Sequence, residues 1–221
     1  MGSSGELFAA IEAADVETVR LIVFADPAVA MARDAQGVSA LMRARYGSDQ
    51  AIAQAILTGV GELDVFESAA FGELDRLTAL LDADPDAVTA FSPDGFTPLH
   101  LASFFGKREA VELLLARGAE PDARGRGWMT GTPLHSAASA NHTRTAALLL
   151  EAGADPDARQ THGWTPLHAA TRNGNLALVE LLLAHGADPA ATNDEGANAL
   201  DLAEEAGDAA TVERIRAALQ L

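Results

Sequence analysis

Apolar residues gather into short runs that return at intervals of little more than thirty positions: Val111 to Leu115, Ala146 to Leu150 and Leu178 to Leu183. Each run follows a shorter stretch in which a leucine and a small residue, such as Leu99 and Ala102, share one helical face. Gly106 or Gly174 separates the two, and Gly118, Gly153 or Gly186 follows the run, with a proline soon after. This pattern predicts pairs of short helices. Thr-Pro opens the first helix, because a Thr hydroxyl caps and Pro suits the first helical position. The second helix carries a leucine-rich buried face and ends on a left-handed glycine, beyond which proline bars continuation. The segment around Asp94-Gly95 reads as a tight hairpin-like turn into the next Thr-Pro. One such pair cannot bury its apolar face alone, so neighbours must stack.

The periodicity has an explicit signature. Thr97-Pro98-Leu99-His100 returns as Thr132-Pro133-Leu134-His135 and Thr165-Pro166-Leu167-His168, at spacings of 35 and 33. Asn198-Ala199-Leu200-Asp201 keeps the leucine and loses the rest. Gly118-Ala119-Glu120-Pro121 returns in step as Gly153-Ala154-Asp155-Pro156 and Gly186-Ala187-Asp188-Pro189. Residues 96–192 resemble ankyrin repeats, whose mark is a Thr-Pro-Leu-His helix start in a unit of ~33 residues. The resemblance implies an all-α ankyrin-repeat solenoid of stacked helix-turn-helix units with short hairpin-like turns. It also implies protein binding through a concave face, and a structural role for His100, His135 and His168 in bonding the neighbouring turn.

Units 96–127, 128–162 and 163–195 are regular. A divergent N-terminal unit is expected at 5–37, a shortened one at 38–62 and a divergent one at 63–95, giving a single domain of about seven units over 1–221. Asp26-Pro27 and Asp84-Pro85 replace the glycine turn. In 196–221, Glu204, Glu205, Asp208, Glu213 and Arg214 stand where leucines stood, which reads as a polar C-terminal cap.

Charge narrows the partners. Residues 1–95 carry 16 acidic against 5 basic side chains, residues 96–192 carry 9 against 8, and residues 193–221 carry 7 against 2. Acidic ends around a neutral middle exclude nucleic acid, which needs a basic face. They also favour a monomer, through like-charge repulsion. No apolar run approaches the ~18 residues of a membrane-spanning helix, and the N-terminus lacks a secretory pattern and the myristoylation pattern. A cytoplasmic protein is expected. The absence of cysteine removes disulfides and thiol chemistry. Fourteen arginines against one lysine, with abundant alanine, suggest a GC-rich bacterial genome.

Catalysis finds little support. The three repeat histidines fall one layer apart rather than around one ion, and no zinc-ligand spacing exists, so no metal and no cofactor are expected. The acidic pairs lie in solvated turns, which do not perturb a carboxyl. No nucleophile elbow surrounds Ser136 or Ser139. An enzyme would need a pocket near Trp128, His162 and Arg172.

A docking surface finds more. Seven of the eleven aromatic residues fall just before a Thr-Pro or at the end of a first helix: Tyr46, Phe71, Phe96, Phe104, Phe105, Trp128 and Trp164. Phe8, Phe24, Phe66 and Phe91 are left for cores and connections. Val38 holds the equivalent exposed tip position of an earlier unit, and Met129, His162, Arg124, Arg126, Arg159 and Arg172 lie on or beside the same strip. Aromatics and arginine are what binding hot spots are made of, and Arg124–Gly131 is an enlarged tip. The expected partner is a protein or peptide. The rival expectation is an acidic, antitoxin-like decoy of a basic enzyme or nucleic-acid-binding protein, acting through Asp82, Asp84 and Asp86.

Overall fold

The structure, a computed structural model, describes residues 4–47, 49–126 and 130–219. Among the described residues it is all-helical, with one isolated antiparallel bridge between Arg33 and Ser39. Two compact units divide the chain: residues 1–67 with 92–94, and residues 68–91 with 95–221.

In the first unit, α1 (Ser4–Glu12) and α2 (Val16–Ala25) are followed by α3 (Ala40–Tyr46) and α4 (Gln50–Leu57). First helices pack on each other, α1 on α3, and second helices do likewise, α2 on α4. Leu7, Val19, Ile22, Leu41, Ile52 and Ile56 form the core. The Asp-Pro ending has a definite structure. Asp26 stops α2 and then caps a 3-10 turn, Pro27–Met31, by accepting the Ala28 amide at 3.2 Å.

Two expectations fail in this unit. Val38, expected at an exposed tip, is only 3% exposed and belongs to the core. Phe24, assigned to a core or connection, is 88% exposed on the outer side of α2, with Leu21 beside it at 68%. Val19, Ile22 and Val23 already use the buried stripe of that short helix, so Phe24 is turned to solvent.

Helix α5 (Val65–Phe71) leads toward the second unit. There α6 (Leu74–Ala83), α7 (Pro98–Phe104), α8 (Arg108–Ala116), α9 (Pro133–Ser139), α10 (Thr143–Glu151), α11 (Pro166–Arg172), α12 (Leu176–Ala184), α13 (Ala199–Ala206) and α14 (Ala209–Leu219) alternate in two rows. One row is α7, α9, α11 and α13; the other is α6, α8, α10, α12 and α14. Leu99, Leu114, Leu134, Leu149, Leu167 and Leu178 are buried between layers, each contributing about 1.5–3 kcal/mol of apolar transfer. Gly118, Gly153 and Gly186 sit at φ of 87°, 91° and 89°, the left-handed region that ends a helix without a Cβ penalty.

The first helices share one device. Thr97, Thr132 and Thr165 cap their helices, and the histidine three residues on reaches back with Nδ1 to accept the capping residue's own amide, at 3.3, 3.1 and 3.1 Å. Asn198, where only the leucine was expected to survive, keeps the box with a different pair. Its Oδ1 accepts the Asp201 amide at 3.1 Å, and Asp201 accepts the Asn198 amide at 2.8 Å. Asp64 and Glu67 exchange the same two bonds, at 2.8 and 3.1 Å, in front of α5.

Candidate docking surface

Two pairs of tips in the second unit are joined backbone to backbone. Arg126 donates its amide to the Gly95 carbonyl at 2.9 Å, and Asp194 donates to the His162 carbonyl at 3.0 Å. Gly95 has φ of 89°, and a Cβ there would lie 2.2 Å from the Arg126 carbonyl oxygen. Only glycine permits that approach. The tips are therefore a fixed edge on which side chains are displayed.

Trp164 precedes the Thr165 cap and is half-buried, its ring 5.7 Å from the His168 imidazole. The Arg172 guanidinium, at the end of α11, lies over the indole at 4.9 Å, within cation–π range. Phe96 repeats the first contact, at 5.8 Å from His100. Phe104 and Phe105 meet edge to face at 5.1 Å at the end of α7. Phe71 is half-buried, as are Phe96, Phe104 and Phe105. Arg126 covers Phe91 at 3.6 Å, which brings a ring assigned to connections onto the edge. Phe91 also lines a recess of about 210 Å3 with Val88, Thr97, Ala119 and Arg124.

Other members of the expected set are differently employed. Arg124 donates to the Arg159 carbonyl, and Arg159 donates to the Thr192 carbonyl at 2.7 Å. These two arginines bind one tip to the next, a role their spacing of 35 signals and that charge alone did not suggest. His162 is exposed in a left-handed turn, with φ of 63°. Tyr46 belongs to the first unit, where its hydroxyl donates to Asp94 at 2.6 Å. Burial raises its pKa well above the usual phenol range, and the Asp94 carboxylate adds to this. Trp128 and Met129 lie outside the described residues.

The repeat histidines do what the resemblance implied. Their Nε2 atoms meet the carbonyls of Gly131, Trp164 and Ala197 at 3.0, 3.1 and 3.1 Å. Burial lowers the pKa of His100 and His135 to about 4. His185 bonds the Leu181 carbonyl at 2.9 Å at the end of α12. Among the described residues no three His, Asp or Glu side chains converge to hold a metal, and no helix is long and apolar enough to cross a membrane.

Stacked helix pairs, capping boxes and histidine rungs define a class: helical-repeat proteins that display side chains along a fixed edge. The family described as ankyrin repeats (3 copies) matches residues 65–160 and 134–217, more than half of the chain, and the chain belongs to that family. It is 46% identical over 66 residues to the E3 ubiquitin-protein ligase XB3 of Oryza sativa subsp. japonica, covering 29% of this chain and 15% of the ligase. It is 44% identical over 59 residues to human DNA-binding protein RFXANK, covering 27% of this chain and 23% of that protein. A Caenorhabditis elegans homolog of transient receptor potential cation channel subfamily A member 1 is 36% identical over 84 residues, 33% of this chain and 7% of the channel. The chain thus spans under a quarter of each of these relatives. They come from rice, human and nematode, and lend no support to a bacterial origin.

Proposed function

We propose that the chain is a monomeric adaptor or regulator that binds a protein partner through the aromatic and arginine side chains on the tips and first-helix ends of its second unit. The observation that carries this reading is the Trp164–Arg172 pair beside His168. A large ring held half-open, with a guanidinium over it, is preorganised, so little side-chain freedom remains to be lost on binding. Phe104, Phe105 and Phe96 extend the surface, and the near-neutral charge of residues 96–192 lets them meet apolar groups without long-range repulsion. No cofactor, metal or catalytic group enters this reading.

The rival, an acidic decoy, draws on residues 82–86. Asp82 is already paired with Arg117 at 2.7 Å, and Asp84 caps the 3-10 turn Pro85–Thr89. Two of its three carboxylates thus serve the fold.

The test is affinity capture from native cell extract at two salt concentrations, comparing wild type with a Phe104→Ala, Trp164→Ala double variant. Partner binding should fall by several kcal/mol, the scale of hot-spot truncation, with thermal unfolding nearly unchanged. Undiminished capture together with a collapsed melting transition would assign these rings to the fold instead.

A further inference from the structure

We infer that the groove between α1 and α3 in the first unit is a second recognition site, shaped to take the arginine or lysine side chain of a protein partner. This rests on the reading of the chain as a protein-binding module, but it uses a different surface.

The groove encloses about 560 Å3. Its apolar wall comes from Phe8 and Ile11 on α1, both half-buried, and from Ile52 on α4, which is 3% exposed. Its polar lining is Glu12, Asp49, Gln36 and the Arg43–Asp34 ion pair.

The charges in this lining are unequally available. Arg43 has its Nε on the Asp34 carboxylate and its Nη2 3.3 Å from Gln36 Oε1. Asp34 also accepts the amides of Gln36 and Val38 at 2.9 and 3.0 Å. Burial pushes its carboxyl up, but Arg43 and the two amides outweigh that and hold it below the usual range. This pair is internally satisfied. Asp49 uses Oδ1 to cap α4 through the Ala51 amide at 2.8 Å, and its second oxygen meets no donor among the described residues. Glu12 is exposed and has no bonding partner among the described residues. Among the described residues the groove therefore offers an apolar wall, two carboxylates with open oxygens and no uncommitted cation.

Only one class of natural side chain matches that set. Arginine and lysine carry an apolar stem that lies along hydrocarbon and a cationic head that reaches past it. A guanidinium suits carboxylates best, since its planar donors fit them in pairs. A neutral apolar side chain would leave Glu12 and Asp49 unanswered, and an acidic one would be repelled. The surplus of acids over bases in residues 1–67, 10 against 4, also draws cations toward this unit. The ends of α1 and α11 carry opposite charge. Glu12 occupies in α1 the place that Arg172 occupies in α11, counting from the buried Leu7 and Leu167.

The test titrates the full chain with N-acetyl-arginine N-methylamide and follows backbone amides by 1H–15N NMR. N-acetyl-norleucine N-methylamide serves as the neutral comparator. Saturable shifts confined to residues 8–14, 34–36 and 43–52 are expected with the arginine probe, weak ones with the norleucine probe. Glu12→Gln should weaken arginine binding about threefold, the scale of one exposed charge pair. Asp49→Asn, which keeps a capping side chain, should do the same while leaving the melting temperature of the free protein nearly unchanged. Equal shifts with both probes, or shifts unmoved by either substitution, would overturn the assignment. The Phe104→Ala, Trp164→Ala variant should bind the arginine probe like wild type. Failure of the aromatic strip and failure of this groove are therefore read separately.

Discussion

His100 places its Nε2 3.0 Å from the carbonyl oxygen of Gly131, the residue immediately before the Thr132 cap of the next repeat. Its other nitrogen faces both the Thr97 amide and the Thr97 hydroxyl, at 3.3 and 2.8 Å. Since an amide can only donate, Nδ1 is the acceptor and the ring proton sits on Nε2. One neutral imidazole thus closes its own helix cap and ties that helix to the following turn. A second proton would sit on Nδ1, facing the Thr97 amide donor, so geometry as well as burial disfavours the ionised ring.

Acid should therefore loosen the second unit. Burial lowers His100 and His135 to about 4, and lowers His168 as well, from about 6.5 in an unfolded chain. Between those values the unfolded chain takes up protons that the folded chain refuses. The stabilisation is fully present above pH ~6.5 and is lost as the pH falls toward 4. At about 1.4 kcal/mol per pKa unit, each of His100 and His135 removes up to roughly 2 kcal/mol by pH 5, still above most carboxylate titrations. Urea unfolding at pH 7.5 and 5.0 measures this directly. His135→Gln should be less stable at pH 7.5 and show a smaller loss between the two pH values. An unchanged midpoint between them in the wild type would contradict the account.

The capping boxes give a second comparison. Thr132→Ala removes the hydroxyl that serves both the α9 cap and the His135 ring, and should cost about 1–2 kcal/mol in denaturant unfolding. Asn198→Ala should cost about 1 kcal/mol by the same mechanism, although the Thr-Pro-Leu-His signature is absent there. A negligible effect at Asn198 would show that its two bonds, at 2.8 and 3.1 Å to the Leu200 and Asp201 amides, are incidental to stability.

The contrast between Thr132 and Asn198 marks what could be read from the sequence. Thr-Pro-Leu-His is one chemical solution repeated three times, so its role was legible from spacing, and the fold followed from it. Asp64 with Glu67 and Asn198 with Asp201 solve the same problem with other side chains. They were invisible to a search for identical residues, though an Asx residue followed three positions later by an acid was the available signal. Arg124 and Arg159 were read as hot spots because charge at a tip suggests a partner. Their partners are carbonyls one repeat further on, and the spacing of 35 between the two arginines was the available signal. Phe24 was misplaced for the opposite reason. Hydrophobicity says a ring prefers burial, but the faces of a ten-residue helix are allotted by its three or four best-placed residues.

Arg159 and Arg172 should accordingly behave differently. Arg159→Ala removes the bond to the Thr192 carbonyl and a long contact of 4.0 Å to Asp194. Both are solvent-exposed, so the cost in stability should stay below about 1 kcal/mol, with hydrogen exchange rising at the 159–163 and 192–196 tips. Arg172→Ala uncovers Trp164 without releasing a tip. It should leave exchange there unchanged and weaken partner binding instead. Identical exchange profiles for the two variants would remove the distinction between a stacking arginine and a displayed one.

Phe24 tests burial itself. A core phenylalanine cut to a small residue typically costs 3–5 kcal/mol, whereas an exposed one costs within about 0.5 kcal/mol. At 88% exposure, Phe24→Ser should leave the melting temperature nearly unchanged. Ile22→Ser, two positions earlier and 9% exposed, should lower it by many degrees, because it opens the α2–α4 contact and buries a hydroxyl. The paired melts decide which face of α2 meets the stack. Equal losses would mean that Phe24 is packed rather than open. A loss at Phe24 alone would reverse the orientation of the helix, and the register of α1, which is linked to it by three residues, would have to be redrawn as well.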